Sequence, residues 1–204
     1  MDERLKKQLD FILEADKVKN IMRQTYLADA SRKENDAEHA WHMAVMTLLL
    51  SEYSNEEIDV LKTVSMLLIH DLVEIYAGDT YAYDEEAKKT QKDRELAAAD
   101  HLFGVLPKDQ EDKLRGLWEE FEAAESAEAK FAHTMDNIQP LMLNCASDGR
   151  SWEEKQVKLS QILGRNKRTK DGSEELWDFA YNHFIRPHVD KGHIKKDYDK
   201  TDFE

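Results

Sequence analysis

Five ionisable residues interrupt the most apolar stretches of this 204-residue chain: His39, His70, Asp71, Glu74 and Asp136. His39 stands in DAEHAWHMAVMTLLL, Asp136 in FAHTMDNIQP, and the other three in LLIHDLVEIYAGD. Burying such groups costs several kcal/mol unless they are paired or bound to something. Imidazole and carboxylate are together good donors for a divalent ion such as Mn, Fe, Co, Ni or Zn. His70 and Asp71 are neighbours and diverge by about 100° around an α-helix. They can converge on one ion only near the helix edge, with partners from other helices, and His39 and Asp136 are candidates. Glu74 follows His70 by four and Asp71 by three, on the same general face. A carboxylate there, left off the ion, could act on water or substrate. The ring of Pro140 clashes with the carbonyl of residue 136, so a kink there would aim Asp136 inward.

The elements that must carry these residues read as helices. Apolar residues recur at three- and four-residue spacing, Val/Ile/Thr alternation is nearly absent, and 7 Gly with 3 Pro are too few for a turn-rich β protein. The fold class is all-α, a bundle of about eight helices with the metal site between the central ones. A first amphipathic helix is expected over 3–16, then a mixed polar stretch over 17–35, irregular in its second half. Asp36 is a plausible N-cap for a helix to 53. Asn55 is expected to cap another that runs through 77 and stops at Gly78. Further helices are expected at 88–103, 108–125 after Pro107, 127–146 after Ser126, 152–168 and 173–189. The basic turn GRNKRTKDG between the last two reads as a solvated turn. The expected organisation is one domain over 1–204. Its metal-site core covers about 20–145, helices of 150–190 pack on that core, and 191–204 form a polar tail.

Apolar residues make up 41% and charged residues 35%, a globular balance. A net charge of −14 argues against a nucleic-acid polymer as partner. It leaves room for a small anion, because a metal and a few local Arg or Lys can reverse the field inside one pocket. The single Cys145 excludes an internal disulfide and any Cys-based zinc site. MDERLKKQLDF has no apolar signal core and no stretch is long enough to span a bilayer, so no membrane partner and a cytoplasmic location are expected. His42, three residues after His39, reads as structural.

The order His, His-Asp, Asp resembles the HD-domain superfamily of metal-dependent phosphohydrolases. ENDAEHAW, LIHDLVEIYAGDT and LWEEFEAAESAEAKFAHTMDNIQPLM look like the corresponding blocks of its 5′-deoxynucleotidase branch, the YfbR-like and HDDC-like proteins. The similarity spans roughly residues 5–145. It implies that His39, His70, Asp71 and Asp136 hold one divalent transition metal (Mn, Co, Ni, Fe or Zn), with Glu74 and Asp71 as catalytic residues. It implies that Asp79 and Thr80 contact the nucleoside sugar and that Arg23 orients the phosphate, with Arg32 as a second candidate. Where the bacterial relatives follow that arginine with a tryptophan, this chain has Gln24, which leaves the choice between deoxyribose and ribose open.

The implied function is hydrolysis of a nucleoside 5′-monophosphate to nucleoside and phosphate by a homodimer. The alternatives are hydrolysis of another small phosphate ester and a non-catalytic metal- and nucleotide-binding sensor.

Overall fold

A computed structural model describes residues 2–78 and 85–197, with side chains throughout except those of 85–89 and 91. Among the described residues the architecture is helical, with one small two-stranded sheet. Helix α1 (Glu3–Ala15) starts at Asp2, whose side chain accepts from the Arg4 N–H. After a 3₁₀ turn (Asp16–Asn20) the chain forms strands β1 (Met22–Tyr26) and β2 (Lys33–Asn35). They pair antiparallel, with Met22 opposite Asn35 and Tyr26 opposite Lys33. No strand is expected here from the sequence. The hairpin has too few residues to show the alternation that marks a strand, and its support comes from helices later in the chain that pack against it.

Helix α2 (Asp36–Leu50) begins one residue earlier than an Asp36 cap would require. Asn35 is the cap: its Oδ1 accepts from the Glu38 N–H while the Glu38 carboxylate accepts from the Asn35 N–H. This capping box satisfies two otherwise orphaned donors and leaves the Asp36 side chain free for another use. Helix α3 (Val60–Ile69) is likewise capped by Asp59, not Asn55. Asn55 instead ties down the chain near 170–174, accepting from the Glu174 N–H and donating to the carbonyls of Lys170 and Asp171.

The expected continuous helix to residue 77 is broken. His70–Val73 tighten into a 3₁₀ turn before α4 (Glu74–Ala77), which ends at Gly78 with φ +77°. That left-handed stop suits glycine. The chain crosses between two cores at the break. Leu67 belongs to one core with Met43, Met66, Phe131 and Met135; Leu72 and Val73 belong to the other with Phe103 and Trp118.

Helices α5 (Glu85–Phe103), α6 (Lys108–Ala123) and α7 (Ala127–Ala146) come next. Ser126 caps α7, and Pro140 lies inside it. The helix expected over 152–168 is two short pieces, α8 (Arg150–Glu154) and α9 (Leu159–Arg165), whereas the one expected over 173–189 runs without a break from α10 (Glu174–Ala180) through a π turn (Tyr181–Ile185) into α11 (Arg186–Asp190). The expected polar tail is anchored through Asp197. Ile194 is buried, the Lys195 N–H donates to the Val157 carbonyl, and Asp197 accepts from Ser160. No helix among the described residues is long and apolar enough to cross a membrane.

Candidate metal centre

Helices α2, α3 and α7 pack against one another, and each brings one part of a buried cluster. His39 comes from α2, Asp136 from α7, and His70 with Asp71 from the 3₁₀ turn after α3. His39, His70 and Asp136 offer ligand atoms that all lie within 4.8 Å of one another. His39 Nε2 is 3.1 Å from Asp136 Oδ1, His70 Nε2 is 4.0 Å from that same oxygen, and His70 Nε2 is 3.0 Å from Asp71 Oδ1.

Both imidazoles have one nitrogen committed. His39 Nδ1 donates to Gln139 Oε1 (2.9 Å) and His70 Nδ1 donates to the Leu67 carbonyl (2.9 Å). Each Nε2 then carries a lone pair, and each faces a carboxylate oxygen. His70 Nε2 is buried with no hydrogen-bond partner among the described residues, despite Asp71 Oδ1 at 3.0 Å. A proton on the imidazole, or a metal ion between nitrogen and oxygen, relieves that opposition. Donors in cis positions about an ion with bonds of about 2.1 Å stand about 3.0 Å apart, so the residues fit a divalent ion. The outward bonds of the two Nδ1 groups are the outer-sphere pattern that orients metal-binding histidines.

The electrostatics agree. Burial pushes His39 down to about 4, which keeps it a neutral donor. Burial opposes charge on His70 too, but the carboxylates of Asp71 and Asp136 outweigh it and raise the group to about 9. The field that favours a proton on His70 favours a metal ion in its place. Burial works against ionisation of Asp71 and Asp136, yet the neighbouring histidines and Arg23 or Arg165 hold both below the usual carboxylate range.

Arg23 reaches this cluster from β1. Its Nη1 donates to Asp71 Oδ2 (2.9 Å) and to Asp36 Oδ1 (3.0 Å). Burial would lower the guanidinium, but Asp71, Asp136, Asp36 and Glu74 hold its charge more firmly than usual. The capping box explains why Asp36 can serve here: Asn35 has taken the cap. Burial and the Asp71 charge push Asp36 up to about 6, while Arg23 and a hydrogen bond with Glu74 oppose the rise.

Around the cluster opens a cleft of about 480 Å³. Arg23, Gln24, His70, Asp71, Glu74 and Asp136 line it. Arg32 does not; it sits exposed and pairs with Glu38, so the structure separates it from the other candidates. Asp79 and Thr80 lie outside the described residues.

Sequence reasoning missed Gln139, Glu34 and the basic wall. Gln139 is fully buried. Besides accepting from His39 it donates to Glu34 Oε2 (2.9 Å) and His42 Nδ1 (3.2 Å). Its place three residues after Asp136, on the same helix face, was the available signal. The wall is the GRNKRTKDG turn, which is not merely solvated: Arg165, Lys167 and Arg168 line the cleft, as does Lys130 of α7. Arg165 Nη2 lies 3.5 Å from Asp136 Oδ2.

A family model described as HD domain matches residues 15–177. The chain belongs to the HD domain family. 5′-Deoxynucleotidase HDDC2 of Bos taurus and of Homo sapiens are each 30% identical over 155 residues, covering 76% of this HD domain chain and 73% and 74% of theirs. The crystal structure of a predicted metal-dependent phosphohydrolase from Magnetospirillum magnetotacticum MS-1 superposes with a TM-score of 0.89. It is 42% identical, with 95% of this chain and 96% of that chain covered. The all-helical HD domain expected from the sequence is thus the fold observed.

Proposed function

We propose that this HD domain protein is a metal-dependent phosphohydrolase that cleaves the phosphomonoester of a nucleoside 5′-monophosphate. The observation that carries the reading is the convergence of His39 Nε2 and His70 Nε2 on the Asp136 and Asp71 carboxylates, beside a cleft with a cationic wall. In this reading His39, His70, Asp71 and Asp136 hold one divalent transition metal, of the class Mn, Co, Ni, Fe or Zn. When bound, such an ion supplies Lewis-acid charge and a bound water of lowered pKa.

The chain's own residues divide the remaining work. Glu74, on the first turn of α4, holds the attacking water in line and takes its proton. Arg23 and Arg165 place guanidinium charge on two sides of the carboxylate cluster, where phosphoryl oxygens accept from them. Lys130 and Arg168 add positive charge to the cleft lining. Water oxygen bonds to phosphorus, the ester P–O bond breaks, and the 5′-oxygen takes up the proton that Glu74 drew from the water, so the nucleoside leaves as its 5′-alcohol. The cleft volume lies in the range that encloses small ligands. Asp79 and Thr80 are assigned the sugar, on the resemblance alone.

The proposed assembly is a homodimer through α2 and α3. Trp41, Leu48, Leu49, Leu61 and Leu68 are exposed there, and exposed apolar patches mark protein interaction surfaces. A cytoplasmic location remains the expectation. Light scattering checks the dimer.

The deciding experiment measures phosphate release from 5′-ribo- and deoxyribonucleoside monophosphates, using chelator-stripped protein with Mn, Co, Ni, Zn or Mg restored singly. Turnover that returns with a transition metal and is absent in Asp71→Ala supports the proposal. The ribose and deoxyribose arms settle what Gln24 leaves open. Silence across the panel with metal bound refutes it, and nucleotide binding without turnover would identify a sensor.

A further inference from the structure

A second group of donors lies outside the HD cleft, where the turn between α7 and α8 meets the end of α11. Asp148, His188 and His193 offer ligand atoms all within 4.8 Å of one another. His188 and His193 face each other through Nδ1 at 2.9 Å. We infer that these three residues form a second metal site, for a borderline divalent ion such as Ni²⁺, Cu²⁺ or Zn²⁺.

The tautomers argue for it. The Cys145 backbone carbonyl hydrogen-bonds His188. Nδ1 faces His193, so a proton on Nε2 leaves the Nδ1 lone pair for an ion. A backbone carbonyl behind one imidazole nitrogen is the arrangement that orients a ligating histidine. Two nitrogens 2.9 Å apart match cis positions about an ion with bonds of about 2.05 Å. Nitrogen and carboxylate donors in such an arrangement suit Ni²⁺ or Cu²⁺, with zinc close behind.

The backbone holds the donors ready. The Ile194 N–H donates to the His188 carbonyl and the Gly192 N–H to the Val189 carbonyl, closing the turn that returns His193 to His188. Asp148 and Gly149 adopt φ +54° and +74° in succession. A Cβ at Gly149 would stand 2.7 Å from both Nδ1 atoms, so glycine keeps the space beside the two nitrogens open. Lys191 Nζ donates to Asp148 Oδ1 (2.9 Å). A carboxylate offers about four lone-pair sites, and Lys191 is half-exposed, so water can take over its charge when an ion takes the oxygen.

The ion would tie the C-terminal turn to the turn between α7 and α8. Its position gives it a task. His188 is buried and packs edge-on against Trp152 (5.3 Å between centroids), and Trp152 lines the HD cleft. The second ion braces the cleft wall from behind and takes no part in the reaction.

The test is a metal count. Chelator-stripped protein is loaded with Ni²⁺, gel-filtered and assayed for metal per chain, as wild type, His193→Ala and Asp148→Asn. Wild type should hold two ions and His193→Ala one, the ion of the HD site being retained. Asp148→Asn keeps a residue that tolerates positive φ. It should weaken the second ion by about 10–100-fold or more, the loss typical of an outer-sphere partner being the lower bound, so the inference stays testable even if His193→Ala folds poorly. On Cu²⁺ loading, electron paramagnetic resonance should show two two-nitrogen centres in wild type, His39 with His70 and His188 with His193, of which His193→Ala keeps only the first. One ion in wild type, or two in both variants with unchanged affinity, overturns the inference and leaves His188 and His193 as a hydrogen-bonded pair.

Discussion

Gln139→Leu tests the buried network most directly, because one side chain serves three partners. Its Oε1 accepts from His39 Nδ1 and its Nε2 donates to Glu34 and His42. Leucine nearly matches it in volume, so the change removes polarity and little packing. It strands the His39 N–H and the Glu34 carboxylate, both buried. Each stranded group costs about 1–3 kcal/mol, or about 2–6 kcal/mol together. Glu34 Oε1 lies 3.8 Å from His39 Nδ1 and can turn towards it, which favours the low end. For a chain of this size that is a Tm lowered by roughly 4–24 °C. Loss of the partner that orients His39 should also weaken metal binding about 10–100-fold.

The cost should depend on pH. Burial raises Glu34 to about 7, and the Gln139 hydrogen bond is the largest influence opposing that rise. Without it the folded-state value climbs further. A raised carboxyl contributes stability while protonated and loses it as pH rises through the folded value, so the variant's added deficit opens above about pH 7. Thermal melts in chelator at about pH 6 and about pH 8.5, on either side of that value, measure the stability effect, and competitive metal titration measures the other. Gln139→Glu is the control. It keeps an acceptor for His39 but sets a like charge against Glu34, so it should retain metal affinity and lose stability. A Gln139→Leu variant with unchanged metal affinity and a deficit no larger at the higher pH would refute the outer-sphere role.

Three other outcomes are expected. Restoring metal at about 100 times its Kd to stripped protein should add about 2.7 kcal/mol, a rise in Tm of roughly 5–11 °C by scanning calorimetry. Glu74→Gln should lower kcat by about 10²–10⁴-fold with the metal count at the HD site unchanged; equal loss of metal would move Glu74 from water to the ion. Arg165→Ala should raise KM for a nucleoside monophosphate more than it lowers kcat. The lost charge-assisted hydrogen bond is about 1.5–3 kcal/mol, or roughly 10–150-fold in kcat/KM.

Much of the frame was legible because it arises from local chemistry. Apolar spacing of three and four marks α2, α3 and α7, and Ser126, Pro107 and Gly78 mark boundaries as expected. The caps at 35 and 59 were misplaced by one and four residues because Asn35, Asp36, Asn55 and Asp59 are all good capping types. Which one wins depends on partners far along the chain. Asp36 goes to Arg23 and Asn55 to residues 170–174, neither visible in a local window. The hairpin at 22–35 was hidden for the same reason.

The cluster of His39, His70, Asp71 and Asp136 was conspicuous because charge in an apolar run demands a use. The cationic wall was not, because a basic turn on an acidic chain is ordinarily left to solvent. Its position decides otherwise. Lys130 and Asp136 share α7, so a turn docked against that helix carries its charges into the cleft beside Asp136. Thr134 donates to the Thr169 carbonyl and Arg168 to the Ala124 carbonyl, two bonds that fasten 164–172 against α7 and the end of α6. A net charge of −14 thus coexists with a cationic wall, because long-range repulsion is screened over about 10 Å while the wall acts at contact. Salt should then act more on the encounter with substrate than on the bound complex. Raising ionic strength from about 0.05 to about 0.5 M should change kcat/KM while leaving kcat nearly constant. A kcat that falls in step would mean that the charges serve the reacting phosphate rather than its approach.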